Sequence, residues 1–230
     1  MYKTKIIGHR GLKSKFLQEN TMHCFDAAFK LGCDGVEMDV HLCKDRQWII
    51  HHDFNLGGLI LHKTSSDVLM NKAEAKGYKL TFLSDVLEKY PDKELNIEVK
   101  PDSFTLGKEL GKYIIQNGNL NKHYISSFKS ETLAGVRNIS TDINLSWITL
   151  YAITRKWKAI HKKINLYTIN PFHQIISNYK IHQIHKEGIK IQLWTLNKSK
   201  SITKHLRSGI DAIITDKPKL AIGERQKISF

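Results

Sequence analysis

The sequence is poor in residues that interrupt or lock a chain. Four prolines and three cysteines are spread over 230 residues. No Pro/Gly/Ser-rich linker and no low-complexity tract divides it, so residues 1–230 read as a single domain. Cys24, Cys33 and Cys43 are an odd set without zinc-type spacing, which fits reduced thiols in a cytoplasmic protein. Apolar runs reach only a few residues, too short to span a bilayer. The opening "MYKTKIIGHR" enters a strand pattern directly, without the apolar region and cleavage site of a secretory signal.

Negative charge is scarce in the second half. Residues 116–230 hold 19 Lys and Arg against 6 Asp and Glu, whereas residues 1–115 hold 17 against 16, and the whole chain carries +14. Such a surplus draws nucleic acid, an anionic membrane surface or a small phosphorylated substrate. A solvated, lysine-rich surface gives the same count, so charge alone names no partner.

What the sequence does have is alternation. Strand patterns fall at Lys5–His9, Val36–Leu42, Trp48–His52, Leu95–Lys100, Tyr124–Phe128, Leu145–Ile148, Asn165–Thr168, Ile191–Leu196 and Ala212–Thr215. Helical patterns fall at Met22–Leu31, Leu83–Tyr90, Phe104–Gln116, Ser130–Asn138, Phe172–Lys186 and Ser199–Ser208. This order predicts parallel strands joined by helical crossovers. The link "CKDRQ" between the second and third strands is too short for a parallel crossover, so Trp48–His52 is an antiparallel excursion. Eight parallel strands remain, and the expected fold is an eight-stranded β/α barrel with a short hairpin insertion after the second strand. An open doubly wound sheet is the alternative, but no Gly-rich dinucleotide loop supports it.

Two strands carry acids on one face. In "GVEMDVHL" Glu37 and Asp39 point together, and in "LNIEVKP" Asn96, Glu98 and Lys100 do. On an exposed edge strand this pattern would mean little. In adjacent barrel strands, inward carboxylates are costly unless a cation neutralises them. Three carboxylates without cysteine suit one hard divalent cation, Mg²⁺ or Ca²⁺, rather than zinc. His9 ends the first strand beside Arg10, and His52 stands near the hairpin tip. A cation, two imidazoles, Arg10 and Lys100 together form a kit for cleaving a phosphodiester.

The fragments "GHRG", "ENT", "VEMDV", "HHD" and "IEVKP", followed by "SSF", "LWTLN" and "GIDAIITDKP", resemble the ordered signature of the glycerophosphodiester phosphodiesterases. The resemblance runs from residue 6 to residue 218. It implies a barrel enzyme that hydrolyses deacylated phospholipids to glycerol 3-phosphate and an alcohol. Carried over, it assigns Glu37, Asp39 and Glu98 to the metal, and His9 and His52 to acid–base work. It suggests His9 as base and His52 as acid, and the residues leave the reverse open. Arg10 and Lys100 would contact phosphate, Glu19 would lie in the metal or glycerol shell, and Trp194 would line the glycerol end. It also selects His52 over its neighbour His51.

The sequence departs from that signature in two places. Gln18 stands where proline is usual, and "FNLGGLILHKTSSD" replaces the usual segment after "HD", which leaves the head-group preference open. The expected partner is a small glycerophosphodiester, with no nucleic acid and with peripheral contact to anionic membrane as an option. Two rivals are a phospholipase C- or D-like barrel acting on lysophospholipid, and a non-catalytic basic barrel binding anionic lipid or RNA.

Overall fold

The computed structural model describes residues 4–150 and 156–228. β1 (Lys5–His9) leads through α1 (Met22–Leu31) into β2 (Gly35–Leu42). An insertion follows, made of β3 (Trp48–Ile50), the pair β4 (Asn55–Leu56) and β5 (Leu59–Ile60), α2 (Ser66–Glu74) and β6 (Thr81–Phe82). Then come α3 (Leu83–Lys89), β7 (Glu94–Lys100), α4 (Phe104–Asn117), β8 (His123–Ser127), α5 (Ser130–Arg137) and β9 (Asn144–Thr149). The described chain ends with α6 (Lys156–Ile164), β10 (Thr168–Pro171), α7 (Asn178–His185), β11 (Lys190–Leu193), α8 (Ser199–Leu206), β12 (Ala212–Thr215) and α9 (Pro218–Ile228).

β1, β2, β7, β8, β9, β10, β11 and β12 pair in parallel in that order, and β12 pairs back onto β1. The sheet is therefore a closed eight-stranded β/α barrel, as the alternation predicts. Its main core is the annulus between strands and helices. Val36, Met38 and Val40 of β2 and Leu95, Ile97 and Val99 of β7 are buried there with Phe25, Leu110 and Leu133 of the surrounding helices. Truncating one such residue to Ala costs about 2–5 kcal/mol.

The barrel's inside is different. Its apolar part is small, with Ile7, Ala212 and Ile214 packed beneath Trp194. Polar side chains fill much of the remainder. The Tyr124 hydroxyl donates to Gln192 Oε1 at 3.0 Å, and Thr168 Oγ1 donates to Asn170 Oδ1 at 2.6 Å. Period-two strands have thus put apolar residues outward and kept the interior for chemistry.

β3 runs antiparallel to the end of β2, with Leu42 opposite Trp48 and Val40 opposite Ile50. This is the hairpin required by the short link, but its turn is formed by residues 43–47, so His52 lies past the far end of β3 rather than near the tip. The stretch from Phe54 to Lys79, where the sequence patterns mark no element, contains α2 and the β4–β5 hairpin. It owns a separate apolar cluster of Cys43, Ile49, Leu56, Leu61, Leu69, Ala73 and Leu80. Leu69 and Ala73 fall four apart, on one face of α2.

Other boundaries differ too. β10 begins at Thr168, where the predicted strand ends, because Ile164 closes α6 and Asn165 turns the chain at φ 49°. α7 starts six residues later than expected, since Phe172 extends the strand and bridges to Trp194. Helices α6 and α9 were not among the expected elements.

Candidate active site

Strand register assembles the mouth of the barrel. Gly8 pairs with Val36 and His9 with Glu37 across β1 and β2, while Glu37 pairs with Asn96 and Asp39 with Glu98 across β2 and β7. The two acid-bearing strands are therefore neighbours. Glu37, Asp39 and Glu98 are buried, and each offers a carboxylate oxygen within 4.8 Å of the others. Lys100 Nζ lies 2.8 Å from Asp39 Oδ1 and 3.5 Å from Glu98 Oε1. Arg10 Nε lies 3.2 Å from Asp39 Oδ2, and the Arg10 backbone N–H donates to Glu37 Oε2 at 3.0 Å.

Three acids thus face two cations, and the imbalance shows in their protonation. Burial opposes ionisation of Asp39, but Lys100 and Arg10 outweigh it and hold the carboxyl below its ordinary range. Glu37 is less well served: burial, then the charges of Asp39 and Glu98, push its pKa well up. Burial and Asp39 push Glu98 up to about 8. The donor set is all oxygen and is short of positive charge, which fits a hard divalent cation. A cation among these oxygens would keep all three ionised near neutral pH.

The turn after β1 is built for this contact. Arg10 and Gly11 take positive φ, 55° and 84°. A non-glycine residue rarely adopts that conformation, and such sites cluster where function fixes the backbone. At Gly11 space is also decisive, because an added Cβ would sit 2.5 Å from Cys24 Sγ. Asn20, also left-handed at φ 58°, donates from Nδ2 to Asp39 Oδ2 at 2.9 Å. Thr21 caps α1, its side chain accepting from the Cys24 N–H while its own N–H donates to Cys24 Sγ. Glu19 is not on the cavity wall. It accepts from Arg10 Nη1 at 2.7 Å and pairs with Lys13 at 3.1 Å, so it holds Arg10 in place.

The two imidazoles stand in different settings. His9 Nδ1 lies 2.7 Å from Asp216 Oδ1, and its Nε2 is 3.8 Å from Glu37 Oε2. Asp216 is reached because Gly8 pairs with Thr215 where β12 closes onto β1. Asn197 clamps it, donating from Nδ2 to Asp216 Oδ2 at 2.6 Å and accepting the Asp216 N–H at 2.9 Å. Lys13 adds an ion pair at 3.1 Å. Burial opposes Asp216's ionisation, but the bond to His9 and these partners hold its pKa well below the usual carboxylate range. His52 Nδ1 lies 2.8 Å from Asp53 Oδ1, nearer solvent. His51 donates its N–H to Asp39 O at 2.9 Å and does not line the cavity.

A cavity of about 130 Å³ joins these groups. His9, Arg10, Glu37, His52, Glu98 and Lys100 form its charged side. Phe128, Ile148, Ile214 and Trp194 form an apolar wall, with Trp194 Nε1 donating to Asn170 O at 2.8 Å. Asn96 and Asn170 form part of the lining, and among the described residues the Asn96 amide and Asn170 Nδ2 make no hydrogen bond. Of the residues singled out from sequence, the cavity gathers all but Asp39 and Glu19, which stand directly behind it. Sequence reasoning missed Asp216, Asn197, Lys13, Asn96 and Asn170. Asp216 lay in the quoted "TDKP", and Asn96 shared a face with Glu98.

Fold and mouth define a β/α-barrel enzyme with a buried carboxylate trio beside a cavity that two imidazoles line. Residues 9–220 match the glycerophosphoryl diester phosphodiesterase family, and the chain belongs to it. The glycerophosphodiester phosphodiesterase of Caldanaerobacter subterraneus subsp. tengcongensis is 28% identical over 237 residues, covering 96% of this chain and 97% of the relative. The crystal structure of a glycerophosphodiester phosphodiesterase from Parabacteroides distasonis superposes with a TM-score of 0.87 at 19% identity, over 100% of this chain and 99% of that one. An Oleispira antarctica phosphodiesterase, solved with the product sn-glycerol-3-phosphate, gives 0.84 at 22% identity over 97% of each chain.

Proposed function

We propose that this enzyme hydrolyses glycerophosphodiesters to glycerol 3-phosphate and an alcohol, with His9 as base, His52 as acid and one divalent cation held by Glu37, Asp39 and Glu98. The observation that carries the reading is the buried carboxylate trio beside one cavity that both imidazoles line. Membership of the family supports the substrate class. When bound, the cation supplies positive charge to the phosphoryl oxygens.

The chain's own residues do the rest. Asp216 accepts from His9 Nδ1–H, which leaves the Nε2 lone pair facing the cavity. That nitrogen takes the proton of the attacking water. A bond forms to phosphorus and the P–O bond to the alcohol breaks. His52 gives its proton to the departing alkoxide. Where the glyceryl 2-hydroxyl attacks instead, the cyclic phosphate it forms is opened by water in a second step, in which His52 takes the water's proton and His9 returns one to the 2-oxygen. Arg10 and Lys100 hold the phosphoryl charge. The glyceryl carbons lie against Trp194 and Phe128, where Asn170 Nδ2 and the Asn96 amide meet the free hydroxyls.

The test separates the imidazoles by leaving group. On glycerophosphocholine, His9→Ala and His52→Ala should each lose roughly 10²–10⁴ in rate. With a nitrophenol leaving group, protonation is no longer needed, so His52→Ala should recover and His9→Ala should not. Full activity in EDTA, or equal recovery of both variants, would overturn the scheme.

A further inference from the structure

Nine large apolar side chains are exposed among the described residues, and eight of them lie on segments that follow a barrel strand or open a helix. In a β/α barrel the strands end, and the following helices begin, at the face that carries the cavity. Phe16 lies in the loop after β1, and Leu150 directly follows β9. Phe54, Ile60 and Val68 belong to the insertion after β2. Phe104, Tyr179 and Leu220 sit in the first turns of α4, α7 and α9. Ile115, in the last turn of α4, is the exception at the far end. Phe16 is 93% exposed.

Positive charge accompanies them. Lys15, Lys76 and Lys79 border the same cleft as Phe16, and exposed Lys129, Lys198 and Lys217 stand on the loops after β8, β11 and β12. Exposed carboxylates stand on the same segments, Asp45, Asp53, Asp67, Glu74, Asp85, Asp102 and Glu131, but the described cations outnumber them once exposed Lys44, Arg46, Lys63, Lys200 and Lys219 are counted with the six lysines. We propose that the cavity-bearing face docks onto an anionic bilayer surface, with Phe16 and its neighbours inserted among lipid headgroups and the lysines paired with lipid phosphates.

Two features favour a bilayer over a protein. The apolar side chains are dispersed around a ring rather than gathered into one patch, and a fluid plane accepts separate insertions where a protein partner needs a contiguous complementary surface. A second copy, related by a two-fold axis, would set lysine against lysine. Anionic lipid pairs those same lysines, at about fivefold in partitioning for each one near the surface.

The full-length chain is sedimented with vesicles of phosphatidylcholine alone and of phosphatidylcholine mixed with phosphatidylglycerol. It should pellet with the mixed vesicles only, and release in high salt. Lys15→Gln and Lys79→Gln should each weaken partitioning about fivefold, and Phe16→Ser about tenfold, whereas Ile115→Ser should change nothing. Phe16 is almost wholly exposed, so its variant should keep the wild-type melting curve and its turnover on soluble glycerophosphocholine. The binding readout needs no turnover, so it fails or succeeds separately from the hydrolytic scheme. Three results would overturn the proposal: no preference for the anionic vesicles, an equal loss from Ile115→Ser, or a dimer in ultracentrifugation that Phe16→Ser disperses. Binding to an RNA homopolymer that Phe16→Ser leaves intact, without vesicle binding, would assign the lysines elsewhere and overturn it too.

Discussion

Replacing Glu98 with Gln removes one of three carboxyls crowded into a buried space, and should strengthen the fold while ending turnover. Folding raises the Glu98 pKa from 4.5 to about 8, through burial first and Asp39 second. A carboxyl raised in this way holds its proton more tightly when folded. Its contribution to stability is therefore present below the unfolded pKa and is lost as pH rises towards about 8. At 1.36 kcal/mol per pH unit the loss has a ceiling of about 5 kcal/mol. For a chain of this size that corresponds to about 10–20 °C in Tm. Water reaches Glu98 through the open mouth, so about half the ceiling, 5–10 °C, is the expected size. The assay is thermal melting in EDTA from acid to mildly alkaline pH. His41 and His205 work in the opposite sense, because burial lowers each to about 4, so they favour the fold as pH rises. The difference between wild type and Glu98→Gln isolates this carboxyl together with the pressure it puts on Glu37. That difference should be small in acid and widen towards pH 8, and Mg²⁺ or Ca²⁺ should close it by stabilising wild type alone. Parallel curves across the range would refute the reasoning.

Two further outcomes follow from the β1 end of the barrel. Asp216→Asn should lower kcat by roughly 10²–10⁴ with little change in KM, because the amide no longer enforces the Nδ1–H form of His9. Partial rescue by Asp216→Glu distinguishes this positioning role from a folding defect, and equal effects on kcat and KM would argue against it. Gly11→Ala should lose about 1–3 kcal/mol in denaturant melts, since both the positive φ and Cys24 Sγ oppose a side chain there. An unchanged midpoint would sink that account.

The parts of the site legible in the sequence are those set by local periodicity. Glu37 with Asp39, and Asn96 with Glu98 and Lys100, declare a shared face because strand side chains alternate regardless of what surrounds them. The closed barrel followed from counting strands and from one link too short to cross over. Asp216 and Asn197 were not legible as partners of His9. They lie 207 and 188 positions along the chain from it, and only the β12–β1 pairing brings them near. β10 was misplaced because Leu166, an apolar residue that suggested a strand, belongs to the loop after α6, while the true strand "TINP" carries polar residues inward. α2 was missed because only Leu69 and Ala73 mark its buried face clearly.

The insertion's separate cluster bears on how the enzyme fails under heat. Leu56, Leu61, Leu69, Ala73 and Leu80 pack mainly with one another, outside the annulus that holds the barrel together. Small units of this kind can open on their own, at a free energy below that of global unfolding. His52 stands two residues beyond β3, at the root of this unit. Each opening would carry the imidazole away from the cavity while the strands stay closed. With His52 as the proposed acid, activity is expected to fall before the barrel melts, because opening this unit alone displaces the imidazole.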